Sequence, residues 1–273
     1  MWTSASIEET EKGPILTFGN RVYIPRTMRK DMLNKLHATH LSADRMWATI
    51  RDIWFWPGLR NNVTQLYKEC SRCQEWETSK TTQPPQKIPE DLREAGPMDK
   101  VGVDIFHFGG KNYLIMTDYF SGYKWSQVMK RMDTAEVTRI IESWFNGSQG
   151  LPRTLRADSG PQFRNPFNQW LEELGIIRET SSAYNPASNG AAEKAVQDVK
   201  KVLKKQDGKA DIGEIIAGLN NTVRTTLGIT PAELFIGRKI RTKTRGSMRR
   251  EVDLARAKRK RIQEQERMRE RMG

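Results

Sequence analysis

Short apolar runs separated by turn residues dominate the middle of the chain. Runs of this kind, bounded by Gly, Pro, Asn, Asp or Ser, predict strands. The predicted strands are 100–108, 112–119, 123–129 and 154–157, and the last leads into the turn Ser159-Gly160-Pro161. A helix is predicted at 134–146. A second follows the turn, where the apolar residues fall at helical spacing. They are Ala192, Ala195, Val196, Val199, Val202 and Leu203.

The order of these elements predicts the fold class. Three consecutive strands are followed by a helix and then by strand, helix, strand and helix. Such an alternation places helices against a mixed sheet, so the class is α/β. A further helix is predicted at 212–225.

The first quarter of the chain has a different pattern. Residues 13–25 predict a β-hairpin, because Gly19-Asn20 separates two apolar runs. Helices are predicted at 28–37, from Ser42 through Trp54, and at 59–69. Trp56-Pro57-Gly58 separates the second helix from the third. Four aromatic residues of this region are expected to form its small core: Trp47, Trp54, Trp56 and Tyr67.

Histidine and cysteine are concentrated in this helical region. The chain has 3 His and 2 Cys, and all except His107 lie in the pattern His37-x2-His40 and Cys70-x2-Cys73. Two imidazoles and two thiolates form a tetrahedral structural Zn²⁺ site. A thioredoxin-like redox pair is disfavoured because no βαβ pattern surrounds the cysteines. The four residues are therefore predicted zinc ligands.

Carboxylates mark the ends of the predicted core elements. Asp158 ends a strand, and Glu193 begins the amphipathic helix 35 positions later. Carboxylates brought together from distant elements suit Mg²⁺, which takes oxygen ligands and leaves positions open for phosphate. The first strands offer a third acid, either Asp104 or Asp118. Asp104 interrupts an apolar strand, where an unpaired carboxylate is costly, whereas Asp118 is at a strand end.

Two segments carry a family resemblance. DSGPQF at 158–163 and SAYNPASNGAAE at 182–193 resemble the catalytic core of integrases from gypsy-type LTR retrotransposons and retroviruses. The His-His-Cys-Cys region resembles the zinc-binding domain that precedes this core, and GITPAELFIGR at 228–238 resembles the segment that closes it. The resemblance implies a ribonuclease-H-like mixed sheet flanked by helices, preceded by a small helical zinc-binding domain.

The resemblance also implies site residues and an activity. The catalytic acids would be Asp104, Asp158 and Glu193, since Asp104-Ile105-Phe106 matches the first-strand context of the family. They would hold two Mg²⁺ or Mn²⁺ ions for 3′-end processing and strand transfer of retroelement DNA, and the zinc domain would support DNA binding and multimerisation. The residues expected to flank the DNA end are Tyr184, Asn185, Gln197, Lys200 and Lys204.

Charge adds a second region of DNA affinity. The net charge is +13, and residues 237–273 contain 15 basic and 5 acidic residues, which leaves only +3 for the first 236. Most non-specific affinity is therefore expected from the tail. Its cluster at 256–261 is compatible with nuclear import, and Lys200-Lys201 and Lys204-Lys205 are expected to follow a phosphate backbone. Nuclear localisation after cytoplasmic assembly is expected. No membrane span or signal peptide is expected.

Composition shifts suggest five parts. They are a lead-in hairpin at 1–28, the zinc-binding domain at 29–78, a Pro-rich linker at 79–97, the catalytic core at 98–237 and a charged tail at 238–273.

Two alternative functions stay open. Between Asp158 and Glu193 lie 34 residues, one fewer than is usual in the family, and no further β domain is recognisable after the core. Both features suit a catalytically silent, integrase-derived DNA- or protein-binding module. An ordinary ribonuclease H is disfavoured by the zinc pattern ahead of the core.

Overall fold

The N-terminal strands form a small four-stranded sheet. The computed structural model describes residues 5–10, 13–19, 21–76, 96–148, 150–180, 190–208, 210–224 and 227–238. Strands β1 (Ala5–Thr10), β2 (Gly13–Phe18) and β3 (Arg21–Tyr23) are antiparallel, and β4 (Trp54–Phe55) joins β3 in parallel. The predicted hairpin is present as β2 and β3, while β1 lies outside the predicted elements.

Four helices follow or flank this sheet. They are α1 (Arg26–His37), α2 (Ala43–Ile50), α3 (Leu59–Glu69) and α4 (Ser71–Glu75). The helix predicted through Trp54 is wrong at its end, because Trp54 and Phe55 instead pair with Val22 and Tyr23. Gly58 precedes α3 with φ of 82°, a left-handed conformation that glycine adopts without strain.

The second sheet has five strands in the order β7-β6-β5-β8-β9. The strands are β5 (Lys100–Phe108), β6 (Lys111–Asp118), β7 (Lys124–Val128), β8 (Thr154–Ala157) and β9 (Ile177–Thr180). The first three are antiparallel to one another, whereas β8 runs parallel to β5 and β9 runs parallel to β8. The predicted mixed sheet is confirmed.

Helices cover both faces of this sheet. The face of Val101, Val103, Leu114 and Met116 packs against α5 (Thr134–Ser148) and α6 (Asn165–Glu173). The face of Phe106, Tyr113 and Ile115 packs against α7 (Gly190–Lys205) and α8 (Ile212–Asn220). A short helix, α9 (Pro231–Ile236), begins with a capping box formed by Thr230 and Glu233.

The apolar core under α7 continues into the N-terminal helices. Phe106, Val199 and Leu219 belong to the same buried cluster as Leu36 and Met46. Trp54 and Trp56 are buried in it, and Trp47 and Tyr67 pack against it half-buried. The zinc-binding helices therefore rest on the helix layer of the catalytic core.

The first residue of the edge strand β7 is capped by one side chain. The helix predicted at 212–225 ends at Asn220, whose amide accepts from Lys124 N at 2.9 Å and donates to Lys124 O at 2.8 Å. Asn220 thus takes the hydrogen-bonding place of a neighbouring strand, and its side chain is buried.

Several predictions fall on other residues. The linker at 79–97 lies outside the described residues except for 96 and 97, and so does the tail beyond 238. The five predicted boundaries stay predictions. Within the described part of the chain, no helix is long and apolar enough to cross a membrane.

Candidate active site and metal centre

Four ligand-bearing side chains converge at the ends of short helices. α1 ends at His37, and a turn with His40 at φ of 48° returns the chain toward it. Cys70 follows α3 and Cys73 lies in α4. The ligand atoms of all four lie within 4.8 Å of one another. The structure therefore brings together all four residues that the sequence predicted for zinc.

The separations fit a tetrahedral ion. Cys70 Sγ lies 3.4 Å from His40 Nδ1, and Cys73 Sγ lies 3.6 Å from both His40 Nδ1 and His37 Nε2. Ligands bound to Zn²⁺ at ordinary Zn–S and Zn–N lengths are separated by about 3.5 Å along a tetrahedral edge. The donor set and its dimensions suit a structural zinc ion, with Nδ1 of His40 and Nε2 of His37 as the ligand nitrogens.

Burial keeps the two imidazoles neutral. It lowers the pKa of His37 to about 4, with help from the nearby His40 and Lys205. Burial also lowers the pKa of His40, and Lys205 and Arg72 add to the effect. Neutral imidazole is the form that binds a metal. Burial raises the pKa of the Cys73 thiol to about 11, so its thiolate depends on a bound cation.

The strand register brings two carboxylates together on the core sheet. β5 and β8 pair in parallel from Lys100 opposite Thr154 to Gly102 opposite Arg156. Continued by two residues, this register places Asp104 opposite Asp158, and neighbouring strands are about 4.8 Å apart. Because side chains alternate along a strand, both carboxylates are on the face covered by α7. Glu193 is in the first turn of that helix.

The three acids are close enough for Asp158 and Glu193 to influence Asp104 electrostatically. Burial raises the pKa of Asp104 to about 6, the carboxylates of Asp158 and Glu193 raise it further, and Lys200 opposes them. The Ile105 N–H also opposes the rise by donating to Asp104 at 2.7 Å. Asp158 and Glu193 are exposed. Among the described residues the acids do not converge as closely as the zinc ligands, yet their oxygen donors suit Mg²⁺ or Mn²⁺.

Asp118 lies elsewhere. It pairs with Val101, so its side chain belongs to the opposite face of the sheet from Asp104. The carboxylate is fully buried and accepts hydrogen bonds from Met98 N at 2.9 Å and from Ser121 N and Oγ. It therefore fixes the turn after β6, in agreement with its interpretation as a strand-end residue.

A basic cleft runs along α7. It has a volume of about 560 Å³ between α7 and the zinc-binding helices. Predicted DNA contacts line it: Gln197, Lys200 and Lys204, with Arg45, Lys194 and Lys201 adding charge. Lys200 lies 5.6 Å from the ring centre of Phe106, and Lys204 lies 4.9 Å from that of Trp76. Tyr184 and Asn185 lie outside the described residues.

The prediction that Lys205 faces a phosphate backbone is wrong. The sequence grouped it with the phosphate-facing lysines, but its side chain is only 2% exposed. Its ammonium donates to His40 O at 2.8 Å. The position follows from the helix period, because Val202 three residues earlier belongs to the apolar face. That spacing is the signal that could have identified it.

A buried charge network beneath the acids was also missed. Lys100 and Arg156 both pair with Glu179 across β5, β8 and β9. Arg156 precedes Asp158 by two positions and shares its face of the sheet. Isolated charges inside predicted strands gave no signal, because their partners come from distant strands.

Two family models match the chain. Residues 24–79 match the integrase zinc binding domain, and residues 94–186 match the integrase core domain. The first region contains all four zinc ligands. The second contains Asp104 and Asp158, and Glu193 lies seven residues beyond its end.

Curated relatives are much longer than this chain. Over 237 residues it is 29% identical to the uncharacterized protein K02A2.6 of Caenorhabditis elegans, covering 83% of this chain and 18% of that protein. It is 25% identical over 232 residues to the Pro-Pol polyprotein of Simian foamy virus type 3 (strain LK3), covering 80% and 20%. The Pol polyprotein of Feline endogenous virus ECE1 is 29% identical over 236 residues, covering 80% and 22%. The chain thus spans about a fifth of each of these relatives.

A solved structure also resembles the chain. It is the catalytic core domain of BIV integrase in crystal form I, with a TM-score of 0.45 and 24% identity over 51% of this chain and 94% of that one.

Proposed function

This chain belongs to the retroviral-type integrases, with a zinc-binding domain followed by a core domain, and we propose that it processes the 3′ ends of retroelement DNA and joins them to target DNA. Both reactions exchange one phosphodiester for another, with water or a 3′-hydroxyl as the nucleophile. A gypsy-type element is the proposed source, on the strength of the segments at 182–193 and 228–238.

The placement of three acids carries the proposal. Asp104 and Asp158 extend from adjacent strands on one face of the sheet, and α7, whose first turn carries Glu193, packs on that face. The carboxylates of Asp158 and Glu193 disfavour ionisation of Asp104, and a bound cation would relieve this repulsion. Such an arrangement is typical of a site that binds divalent cations.

Asp104, Asp158 and Glu193 would hold the Mg²⁺ or Mn²⁺ ions. When bound, a pair of such ions supplies charge stabilisation for the attacking and leaving oxygens of an in-line displacement. The protein's own contribution would be positioning, since the acids are fixed on rigid elements and the cleft along α7 would hold the polymer.

The α7 face is suited to hold DNA next to these acids. Lys200 acts electrostatically on Asp104, so a phosphate bound to its ammonium would lie close to the carboxylates. Gln197 and Lys204 extend the same cleft, and amide and ammonium donors position phosphates without reading sequence. By family resemblance, Tyr184 and Asn185 would flank the DNA end.

Other parts of the proposal concern the protein's surroundings. Homo-oligomerisation would bring two element ends together, with the zinc-binding domain supporting both multimerisation and DNA binding. The basic tail would supply non-specific affinity, and the reaction would take place in the nucleus after cytoplasmic assembly.

The test is an in vitro strand-transfer assay with Mg²⁺ or Mn²⁺ and terminal-repeat ends matched to the element. Intact protein should join labelled ends to target DNA, and Asp158→Asn should not. The Asp158→Asn variant should retain its fold and its DNA affinity. If intact protein is inert with both metals although it binds the ends, the proposed activity is wrong and the silent-module alternative replaces it.

The silent-module alternative rests on one observation. The spacing between Asp158 and Glu193 is one residue short, and the described part of that segment contains the short helical turn Pro161–Phe163 followed by α6. A protein in which Glu193 is misplaced would bind DNA without cutting it. A wild type that binds DNA but neither trims an unprocessed end nor joins a pre-processed end to target DNA would favour this alternative.

A further inference from the structure

Lys205 enters the zinc-binding cluster from the catalytic core. It is the last residue of α7, whose first turn carries Glu193. Its ammonium lies 2.8 Å from His40 O, 3.7 Å from Cys73 Sγ and 5.7 Å from the ring centre of Tyr67. All three partners belong to the zinc-binding helices and the turns beside them.

This ammonium is buried next to a metal ligand. A buried cation is unfavourable unless an anionic or strongly polar partner compensates it. Among the described residues, the polar atoms that contact it are one carbonyl oxygen and one sulfur. Zinc binding converts that sulfur to a thiolate, which accepts a charge-assisted hydrogen bond far better than a thiol does.

Neighbouring contacts attach the same helix end. Arg72 donates through Nη1 to Lys205 O at 3.1 Å and pairs through Nη2 with Asp207. Gln206 donates to Ala38 O. The carbonyl of Lys205 belongs to the last helical turn, where backbone acceptors lack intrahelical partners. The C-terminal end of α7 is therefore held by the segments that carry the zinc ligands.

From these contacts we propose that Lys205 is a positioning residue of the zinc centre, supplied by the catalytic core. Its ammonium donates to the Cys73 thiolate of the metal-bound cluster. Zinc loading and the seating of α7 on the zinc-binding helices are then one event. A metal that lies far from the carboxylates would thereby help to orient the helix that carries Glu193.

The absorption spectrum of the cobalt-substituted protein tests this role of Lys205 directly. In full-length protein with Co²⁺ in place of Zn²⁺, Lys205→Met should move the thiolate-to-cobalt charge-transfer band to lower energy. The reason is that loss of an N–H donor leaves the sulfur more electron-rich. Lys205→Arg should restore most of the wild-type position. Lys204→Met, a neighbouring exposed lysine, should leave the band unchanged. An unmoved band in Lys205→Met overturns the proposal.

Metal release gives a second readout. Transfer of zinc to a chromogenic chelator should be at least about tenfold faster from Lys205→Met than from wild type, as is typical when a ligand-supporting partner is removed. Lys204→Met should release zinc at the wild-type rate. Equal rates for both variants would contradict the assignment.

If Lys205→Met does not fold, the position of the Lys205 ammonium is tested in wild-type protein. With Co²⁺ bound, the side-chain NMR signals of Lys205 should show large paramagnetic shifts. Those of Lys194, at the other end of α7, should not. Absence of such shifts at Lys205 would place its ammonium away from the metal and overturn the proposal.

Discussion

The zinc-binding cluster and the carboxylate cluster lie at opposite ends of α7, and they are assembled differently. The zinc ligands come from two local pairs, His37 with His40 and Cys70 with Cys73, and their atoms lie within 4.8 Å of one another. The acids come from β5, the end of β8 and α7, and they are spread more widely. Neutral imidazoles and thiols can crowd together, whereas ionised carboxylates repel.

The difference separates folding from catalysis. A compact soft-ligand cluster in a small helical region makes metal affinity part of folding free energy. The acids are more widely spaced and lie on a well-packed sheet, whose folding does not depend on bound Mg²⁺. Removing zinc should therefore destabilise the protein, and removing Mg²⁺ should stop the reaction alone.

The largest expected effect follows from breaking the zinc cluster. Cys73→Ser should abolish zinc binding and destabilise the N-terminal helices by several kcal/mol, since structural zinc contributes strongly to the folding of such domains. Zinc content per chain and thermal unfolding measure this. Because Leu36 and Phe106 share one apolar core, the catalytic sheet should lose stability too. A variant that retains zinc and its melting temperature would contradict the assignment.

Breaking the carboxylate cluster should affect the rate instead. Asp104→Asn, Asp158→Asn and Glu193→Gln should each lower strand transfer at least about a thousandfold, equivalent to about 4 kcal/mol of barrier. Their effects should not add in double variants, because the acids act as one unit. Circular dichroism and DNA affinity should stay at wild-type values. Normal transfer by any one variant would remove that residue from the site.

Asp118 provides the matched control on the opposite sheet face. Asp118→Asn should reduce stability by about 1–3 kcal/mol, because an amide cannot accept all the hydrogen bonds from Met98 and Ser121. Strand transfer by the folded fraction should stay within about tenfold of wild type. Denaturant unfolding and assays below the melting temperature separate the two effects. A folded but inactive Asp118→Asn would reverse the choice of Asp104.

The smallest effect concerns the pH dependence of the metal-free carboxylate site. The pKa of Asp104 is about 6 in the folded protein against 3.8 for the free side chain. Ionisation therefore opposes folding, and this penalty grows as the pH rises from about 4 to about 6. Asp104→Asn should be more stable than wild type at neutral pH by on the order of 1–2 kcal/mol.

The stability difference for Asp104→Asn should shrink as the pH falls toward about 5, and saturating Mg²⁺ should cancel it by stabilising the wild type. Thermal unfolding in buffers without Mg²⁺ or Mn²⁺ measures it, and no chelator is added because zinc must stay bound. A wild type that gains stability relative to Asp104→Asn as the pH rises would contradict the sign.

Local pattern was sufficient for much of the fold. The bounds of β5, β8 and α3 follow the predicted residues, because apolar alternation and flanking turn residues are local signals. The four zinc ligands could be predicted for a related reason. The chain concentrates nearly all its His and Cys in one short pattern.

Long-range pairing explains the differences. Trp54 left its predicted helix because it pairs with Val22, about thirty positions away. The helix that begins at Ile212 ends at Asn220, and four residues later Arg224 forms an antiparallel bridge with Ile229. The burial of Lys205 could not be predicted without knowing that α7 contacts the zinc-binding helices. Periodicity describes one element at a time and does not show which elements meet.

Asn220 also bears on how this protein stays dispersed. An exposed edge strand offers unpaired N–H and C=O groups to another chain and promotes aggregation. At Lys124, the first residue of β7, both groups are occupied by one amide, so the strand offers no template at its N-terminal end. Loss of that amide would open the sheet to edge-to-edge pairing. The consequence would be seen first in solubility, in a protein whose two metal sites were still intact.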